Sequence, residues 1–564
     1  MFRSGLTELR GRYLVNIGEM QRKLSLRAEQ DREHRFADLY SLICREDWLR
    51  LASAYVGQNA GSKTAGCDGV DMSAFEADLE GNLAKLRDAL RSDTFAACPV
   101  RRVYIPKTNG TYRPLGIPTI RDRVVQEAVR MVLEPIYEAD FSQYSFGFRP
   151  NRRTMDAIKC ITWTTQECKK YFWVIEGDIS SYFDTIHHRT LLTLLRRRVK
   201  DERLLALIWK FLRAGVMERK LFKDTRLGTP QGGIVSPLLA NIYLHELDKY
   251  MERYSALSTK EKTARRRAGQ ANYVYVRYAD DFVILCNGTR AQAEALREEV
   301  RNFLSATLHL TLSMEKTKIT HLNDGFDFLG FTIRREMGHA GMTTKVLISD
   351  KGRDKHLKAI QAATSPGTHQ DSVILKIAAL NRIIAGWCRY YQYTSKAAVQ
   401  FGKLDYRTFW HMAHWLGRKF KLSMPQVMAR FRTNGYLSEG DVTLLKHAAF
   451  PTTQYKQRFL KPNPYTKQEI IAREELPDED PWIGFEDRPG WADLKRQAQE
   501  RDNWTCRVCK SRVTPETCQV DHIIPYSSFK RPVDANRLDN IWTLCIDCHR
   551  VKTELERRME SPVR

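Results

Sequence analysis

The sequence has no run of about 18 or more apolar residues, the length a spanning helix needs; its most promising stretch, residues 204–217, is broken by Lys210 and Arg213. No membrane partner is expected. The first thirty residues also lack an apolar core, because Arg3, Glu8, Arg10 and Arg12 interrupt it. A secretory leader is therefore not expected, and the reading is of a chain in a reducing compartment, a bacterial cytoplasm or an organellar matrix. No internal repeat is evident. A disulfide framework is absent as well: of 12 cysteines, seven are scattered singly between Cys44 and Cys388. Acidic charge is in short supply, 67 Asp and Glu against 91 Lys and Arg, a net +24. Such a surplus points to a polyanionic partner, nucleic acid ahead of an anionic membrane surface.

What is present excludes a disordered or fibrous chain. The 564 residues are 43% hydrophobic, enough for real cores, and at about 150 residues per domain they allow three or four domains. Residues 1–95 read as helices, with Leu24, Leu26, Phe36, Leu39, Leu42, Trp48 and Leu51 at mixed three and four spacing. From Cys98 the texture changes to strands. Residues 101–106 and 115–118 flank the turn Thr108-Asn109-Gly110 and predict a hairpin. Residues 172–175 are aromatic and β-branched and lead into Gly177-Asp178; residues 273–278 and 282–285 flank Ala279-Asp280-Asp281. Between them, Ser236 is placed as N-cap and Pro237 as first residue of a helix patterned by Leu239, Ile242, Leu247, Tyr250 and Tyr254. After about residue 346 the pattern is helical again, with Ile374, Ile377, Leu380, Ile384 and Trp387 on one face, a stripe read as packing core. Residues 451–489 mix Pro, Lys and an acidic patch and read as a linker or an irregular module.

The chemistry concentrates in two places. Asp178 at one strand end and Asp280-Asp281 in a tight turn converge if their strands are neighbours. Carboxylates so crowded resist joint ionisation unless divalent cations relieve them. Two Mg²⁺ ions held there would serve nucleotidyl transfer, lowering the pKa of an attacking 3′-hydroxyl and neutralising a leaving pyrophosphate. Asp-Asp between strands is more often turn chemistry alone; the surrounding motifs decide otherwise. At the C-terminus, Cys506-x2-Cys509 and Cys545-x2-Cys548 have the spacing of two knuckles around one tetrahedral structural Zn²⁺, leaving Cys518 over.

The segments RYADDF (residues 277–282), EGDISSYFD (176–184) and GTPQGGIVSP (228–237) resemble reverse transcriptases. More closely, the chain resembles the intron-encoded proteins of group II introns. NAGSKTAGCDG (59–69), IPK (105–107), RPLGIP (113–118), SFGFRP (145–150), FDFLGF (326–331) and GWCRYY (386–391) follow in family order. VDHIIP (520–525), with Asn540 and His549 framing the second knuckle, resembles an HNH endonuclease.

The resemblance implies an α/β multidomain fold: a right-hand polymerase of fingers and palm, a helical thumb and maturase domain, and a small zinc-containing ββα-metal HNH domain. The expected boundaries are residues 1–95 for an N-terminal helical extension and the start of the fingers, 96–345 for fingers and palm, 346–450 for thumb and maturase, 451–490 for a linker and DNA-binding region, and 491–564 for the HNH domain. Asp178, Asp280 and Asp281 would hold Mg²⁺, with the Ile179 carbonyl as a further donor. Phe183 would stack under the incoming sugar, Gln231 would approach the nucleotide, and Lys107 and Arg113 would hold its triphosphate. In the HNH module Asp521 and His549 would hold Mg²⁺ or Mn²⁺, His522 would deprotonate water, and Asn540 would orient the loop bearing His522.

The function so implied is RNA-directed DNA polymerase, maturase and DNA-nicking endonuclease. The partners are intron RNA in a ribonucleoprotein, a DNA target, and a primer-template with dNTPs. Competing readings are a splicing-only maturase with relic enzyme sites and another reverse transcriptase lineage; intact carboxylates and the HNH motif argue against them. The basic triplets 196–198 and 265–267, the second in an apparent loop, are candidates for phosphate contacts.

Overall fold

Alternating β-branched and aromatic residues form the strands that carry the carboxylates. The structure is a computed structural model that describes residues 17–59, 61–106, 112–218, 221–223, 228, 232–338, 341–466, 491–515, 517–523, 536–549 and 551–552. The described residues fall into two units. One draws on Met1–Phe326, Arg334–Thr344 and Gln457–Glu469, the other on Asp327–Ile333, Lys345–Lys456 and Ile470–Arg564.

In the first unit, helix α1 (Glu46–Gln58) packs on α2 (Ile120–Glu138). Helix α2 is buried nearly all round, with Val124, Val125, Ala128, Val129, Val132 and Ile136 fully buried and Asp122, Arg123, Gln126, Glu127, Glu134 and Glu138 buried beside them, so it runs through the core rather than along its surface. Thr119 caps it by accepting a hydrogen bond from the Asp122 N–H. The expected hairpin forms from β1 (Val100–Pro106) and β2 (Tyr112–Ile117), paired antiparallel from Arg101↔Ile117 to Pro106↔Tyr112. Its turn lies outside the described residues, and Lys107 with it.

Strand β3 (Trp173–Gly177), helix α3 (His188–Arg196), helix α4 (Ser236–Ser255), helix α5 (Thr259–Arg267), strands β4 (Tyr273–Tyr278) and β5 (Asp281–Cys286), helix α6 (Arg290–Leu308) and strand β6 (Lys318–His321) follow. The four strands make one sheet in the order β4-β5-β3-β6, antiparallel throughout. Helix α4 starts at Ser236 itself, with Val235 as its cap residue, one position earlier than the sequence suggested. Pro237 suits either of the first two helical positions because its missing N–H has no intrahelical partner to lose.

Residues 265–267 are helical, not a loop: they end α5, whose Ser258 and Glu261 form a capping box. Helix α5 has no buried residue and so no apolar stripe to betray it. Part of the segment read as a linker or an irregular module is tied down. Residues 457–466 belong to the first unit, where the Asn463 side chain donates to Ser25 Oγ (2.9 Å) and Glu29 Oε1 (2.8 Å), and the Tyr465 hydroxyl donates to Glu134 Oε2 (2.6 Å).

The second unit is helical from α7 (Asp350–Ala363) through α8 (Val373–Tyr391), α9 (Ala397–Phe420) and α10 (Met424–Phe431). Ile374, Ile377, Leu380 and Ile384 are buried on α8, so the stripe is packing core as read. Farther along, α11 (Trp491–Arg501) packs on an antiparallel pair, β7 (Cys518–His522) and β8 (Ile541–Cys545), over a small core of Trp491, Ala498, Val520 and Ile541. Among the described residues, no helix is long and apolar enough to cross a membrane.

Candidate functional site

Gly177 pairs with Phe282 in the β3–β5 register, and a Cβ added to Gly177 would lie 2.1 Å from the Phe282 ring. Only glycine lets the ring lie across the strand end, and the chain then enters Asp178 beside the start of β5 at Asp281. On the other side of β5, Tyr278 pairs with Asp281, which leaves Ala279 and Asp280 as a two-residue hairpin loop with Ala279 at φ 58°. Gly147 approaches that loop so closely that a Cβ there would be 2.3 Å from the Ala279 nitrogen. The SFGFRP segment runs beside β4, with Phe146 N–H donating to Arg277 O and Arg277 N–H donating to Tyr144 O, both at 2.9 Å.

Beneath the loop the Arg277 guanidinium donates to Asp248 Oδ1 (2.7 Å), Asp248 Oδ2 (2.5 Å), Asn241 Oδ1 (2.8 Å) and the Ala279 carbonyl (2.9 Å). The sequence reading gave Arg277 no role.

The carboxylates act on one another electrostatically. Burial first, then the negative charge of Asp178, raises the Asp280 carboxyl above its ordinary value, against the Arg113 and Arg277 cations. Asp281 keeps contact with solvent, yet desolvation in its crowded surroundings, Asp280 and Asp178 push it up to about 6, opposed by Arg113 and Lys316. Lys316, which the sequence reading missed, places its Nζ 3.1 Å from Asp178 Oδ2. No motif marked it; a lysine in a turn before a short strand looks like any other.

Ile179 is buried and pairs with Leu312 in an isolated bridge. Phe183 is half-buried on the short helix Tyr182–Thr185, which the Tyr182 hydroxyl anchors by donating to the Ala240 carbonyl (2.5 Å). Arg113 is exposed on β2. Gln231, like Lys107, lies outside the described residues.

The second site is the cysteine module. The Sγ atoms of Cys506, Cys509, Cys545 and Cys548 all lie within 4.8 Å of one another. They are the one such group of metal-binding side chains among the described residues. Burial pushes the Cys506 and Cys548 thiols up, and four thiols this close resist shared ionisation unless a cation joins them. The donor set therefore fits a tetrahedral soft-metal site. Cys518 stays out of it, opposite Cys545 in the β7–β8 ladder and accepting from the Gln499 side chain at 3.1 Å.

Asp521 has His549 Nε2 3.7 Å from its Oδ2, and the Lys552 ammonium on the same oxygen. Burial alone would raise the Asp521 carboxyl; the Lys552 charge and hydrogen bond hold it below the usual range. His522 is 1% exposed, stacked on Trp491 at 5.1 Å, with Nε2 2.9 Å from Asn536 Oδ1. Ile523 N–H donates to the Asn540 carbonyl at 2.7 Å, which ties Asn540 to the chain next to His522.

Three family models match in succession: "Reverse transcriptase (RNA-dependent DNA polymerase)" over residues 105–333, "Group II intron, maturase-specific domain" over 354–431 and "HNH endonuclease" over 506–555. The chain is 46% identical over 343 residues to Protein YkfC of Escherichia coli (strain K12), covering 58% of this chain and 90% of that protein. It is 37% identical over 359 residues to group II intron-encoded protein LtrA of Lactococcus lactis subsp. cremoris, covering 55% of this chain and 59% of LtrA. The chain belongs to the group II intron-encoded proteins. It is a multifunctional member, with reverse transcriptase, maturase and HNH endonuclease domains on one polypeptide. A more distant relative, nuclear intron maturase 2 of Arabidopsis thaliana, is 28% identical over 365 residues, covering 50% of this chain and 49% of that protein. In this group II intron protein the carboxylates fall within the reverse transcriptase match, and the cysteines, Asp521, His522, Asn540 and His549 within the HNH match.

Proposed function

We propose that the chain copies RNA into DNA at Asp178, Asp280 and Asp281, assists its own intron RNA to splice, and nicks a DNA target whose cut end primes the copy. The observation that carries the polymerase reading is the β3–β5 register, which sets Asp178 against the Ala279-Asp280 loop and leaves Asp281 raised to about 6. The lowered acidities of Asp280 and Asp281 mark a donor set short of cationic charge, which suits divalent metal. Mg²⁺ on these carboxylates and the Ile179 carbonyl would supply activation of a primer 3′-hydroxyl and neutralisation of departing pyrophosphate.

The remaining roles belong to the chain. Arg113 and Lys107 hold the triphosphate, Phe183 excludes a 2′-hydroxyl under the incoming sugar, and Gln231 contacts the nucleotide. Lys316 screens Asp178 while substrate is absent. Residues 96–345 serve as fingers and palm, 346–450 as thumb and maturase, and 491–564 as nuclease, with 1–95 as the helical extension leading into the fingers. Residues 451–490 join thumb to nuclease and contribute to DNA binding.

In the nuclease, structural Zn²⁺ sits among Cys506, Cys509, Cys545 and Cys548. Asp521 and His549 hold Mg²⁺ or Mn²⁺, and Asn540 holds the loop from which His522 takes a proton from water. The buried imidazole reaches water only once the Asn536 contact yields. The test offers the purified chain a DNA primer annealed to an RNA template with dNTPs and Mg²⁺. Extension that stops when Mg²⁺ is withheld is the expected result; folded protein that never extends overturns the polymerase reading.

A further inference from the structure

The polymerase and nuclease readings leave the basic triplet 196–198 unused, and the fold gives its three arginines different fates. Arg196 pairs with Glu202 and Arg197 with Glu246. Arg198 turns inward, 4% exposed: its Nε is 3.0 Å from Asp140 Oδ2, and its guanidinium donates to the carbonyls of Ala28 (2.9 Å), Asp31 (2.9 Å) and His34 (3.2 Å). Phe36 N–H donates to Arg198 O, and Lys200 N–H donates to Phe36 O, both at 2.7 Å. Arg198 therefore offers little to an external phosphate. It clamps the turn at residues 31–35 onto the end of α3.

That turn carries Arg32 and Arg35, both exposed and without a hydrogen-bonded or ion-paired partner among the described residues. They face an open cavity of about 570 Å³ that the turn shares with the end of α3 and one side of α4. The volume is within the range of about 300–1000 Å³ common for ligand clefts. Six permanent cations line it: Arg32, Arg35, Arg196, Arg197, Arg198 and Lys249. Four carboxylates line it too, and two of these, Asp140 and Glu246, are already spent on Arg198 and on Arg197 with Lys249. The surplus is two positive charges before any histidine is counted.

His245 also lines the cavity. It is 6% exposed, its Nδ1 leans toward Asp248 at 3.7 Å, and its Nε2 has no hydrogen-bond partner among the described residues. None of Asp178, Asp280 or Asp281 lines this space.

We propose that the cavity binds phosphate groups, those of an RNA backbone or of a free nucleotide or pyrophosphate, at a site separate from the polymerase carboxylates. Arg32 and Arg35 present guanidinium forks, which match phosphate oxygens in pairs. Lys249 adds a point charge. The site does not rest on the polymerase reading, and its test involves no primer extension.

The experiment titrates the full-length chain, without added Mg²⁺ or Mn²⁺, with inorganic pyrophosphate and separately with a single-stranded RNA oligonucleotide. Wild type is compared with Arg32→Ala/Arg35→Ala and with Lys249→Ala, each shown to melt like wild type. Arg290→Ala/Arg301→Ala, which removes the same charge from α6, is the control. With RNA as the ligand, the Arg32/Arg35 variant loses about tenfold in affinity at 50 mM salt, and its salt slope falls by about 1.4, as expected for two lost single-strand phosphates. Loss of pyrophosphate binding with RNA binding intact also supports the site and identifies the free compound as its ligand. Unchanged binding of both ligands overturns the proposal, and so does an equal loss in the α6 control.

Discussion

Arg277 and Asp248 form a doubly hydrogen-bonded ion pair with neither side chain exposed, directly beneath the loop that carries Asp280. Burial alone would raise the Asp248 carboxyl. The Arg277 guanidinium, by charge and hydrogen bonds with His245 assisting, holds it at about 2. Arg277 spends a further donor on the Ala279 carbonyl, so the pair also shapes the loop. Removing one partner of such a pair leaves a buried charge uncompensated, at about 3–5 kcal/mol. Arg277→Met is expected to lose that much in denaturant unfolding and to lose primer extension at temperatures where it is still folded. Arg277→Lys, which keeps the charge but not the fork, should fall between. A Met variant with wild-type stability and extension would refute the assignment.

Asp178→Ala and Asp280→Ala should each lower primer extension at least about a thousandfold, near 4 kcal/mol of barrier at 1.36 kcal/mol per tenfold. No neighbouring side chain can replace the lost oxygen. Assistance to intron splicing should persist, since the maturase-specific match at residues 354–431 is untouched. Single-nucleotide incorporation on an RNA template decides it; either variant extending at near wild-type rate rules the carboxylates out.

The second unit carries its own pH dependence. His356 Nε2 lies 2.8 Å from His447 Nε2, His447 Nδ1 lies 2.9 Å from Asp405 Oδ1, and the His356 ring stacks on Trp387 at 4.6 Å. Burial first, then His447, lowers the His356 imidazole to about 3. Its unfolded value is near 6.5, so below that pH the unfolded chain takes up a proton that the folded chain refuses, and stability falls as pH falls from about 6.5 toward 3. Unfolding free energies from denaturant melts at pH 7 and pH 5 should differ by about 2 kcal/mol from this group alone. His356→Gln should flatten that dependence, and an unchanged slope in the variant would show that another group carries it.

Cys545→Ser should lose zinc and DNA nicking together, because structural zinc supplies much of a small module's folding free energy. His522→Ala should lose nicking and keep zinc. Primer extension should survive both changes. Elemental analysis beside nicking and extension assays on the same preparations separates the roles; a zinc-free His522→Ala protein would make that histidine a ligand rather than a base.

Intron RNA affinity should fall steeply between about 50 and 200 mM salt, by a factor of about 10³ or more if six or more phosphates are neutralised. A dissociation constant flat over that range would mean that the +24 surplus is not what holds the RNA.

Much of this was legible in the sequence because it is local. A two-residue loop between strands places Asp280 and Asp281 wherever the hairpin sits, and matched Cys-x2-Cys pairs bring thiols together within each knuckle. The α8 stripe could be assigned to packing from its period alone. Other features depend on partners far away along the chain, which periodicity cannot name. Lys316 meets Asp178 across 138 residues, and Arg198 turns inward to carbonyls as many as 170 residues away, so a triplet that reads as phosphate-binding contains a clamp. Residues 457–466 look like a linker until Asn463 and Tyr465 find their acceptors on the first unit. The His522 motif said nothing of the Trp491 stack that buries it. The residue types and short spacings of the sequence determined which chemistry the chain carries; tertiary packing decided which of those groups face substrate and which are consumed holding the fold, because burial and the pairing of charge are set by distant neighbours.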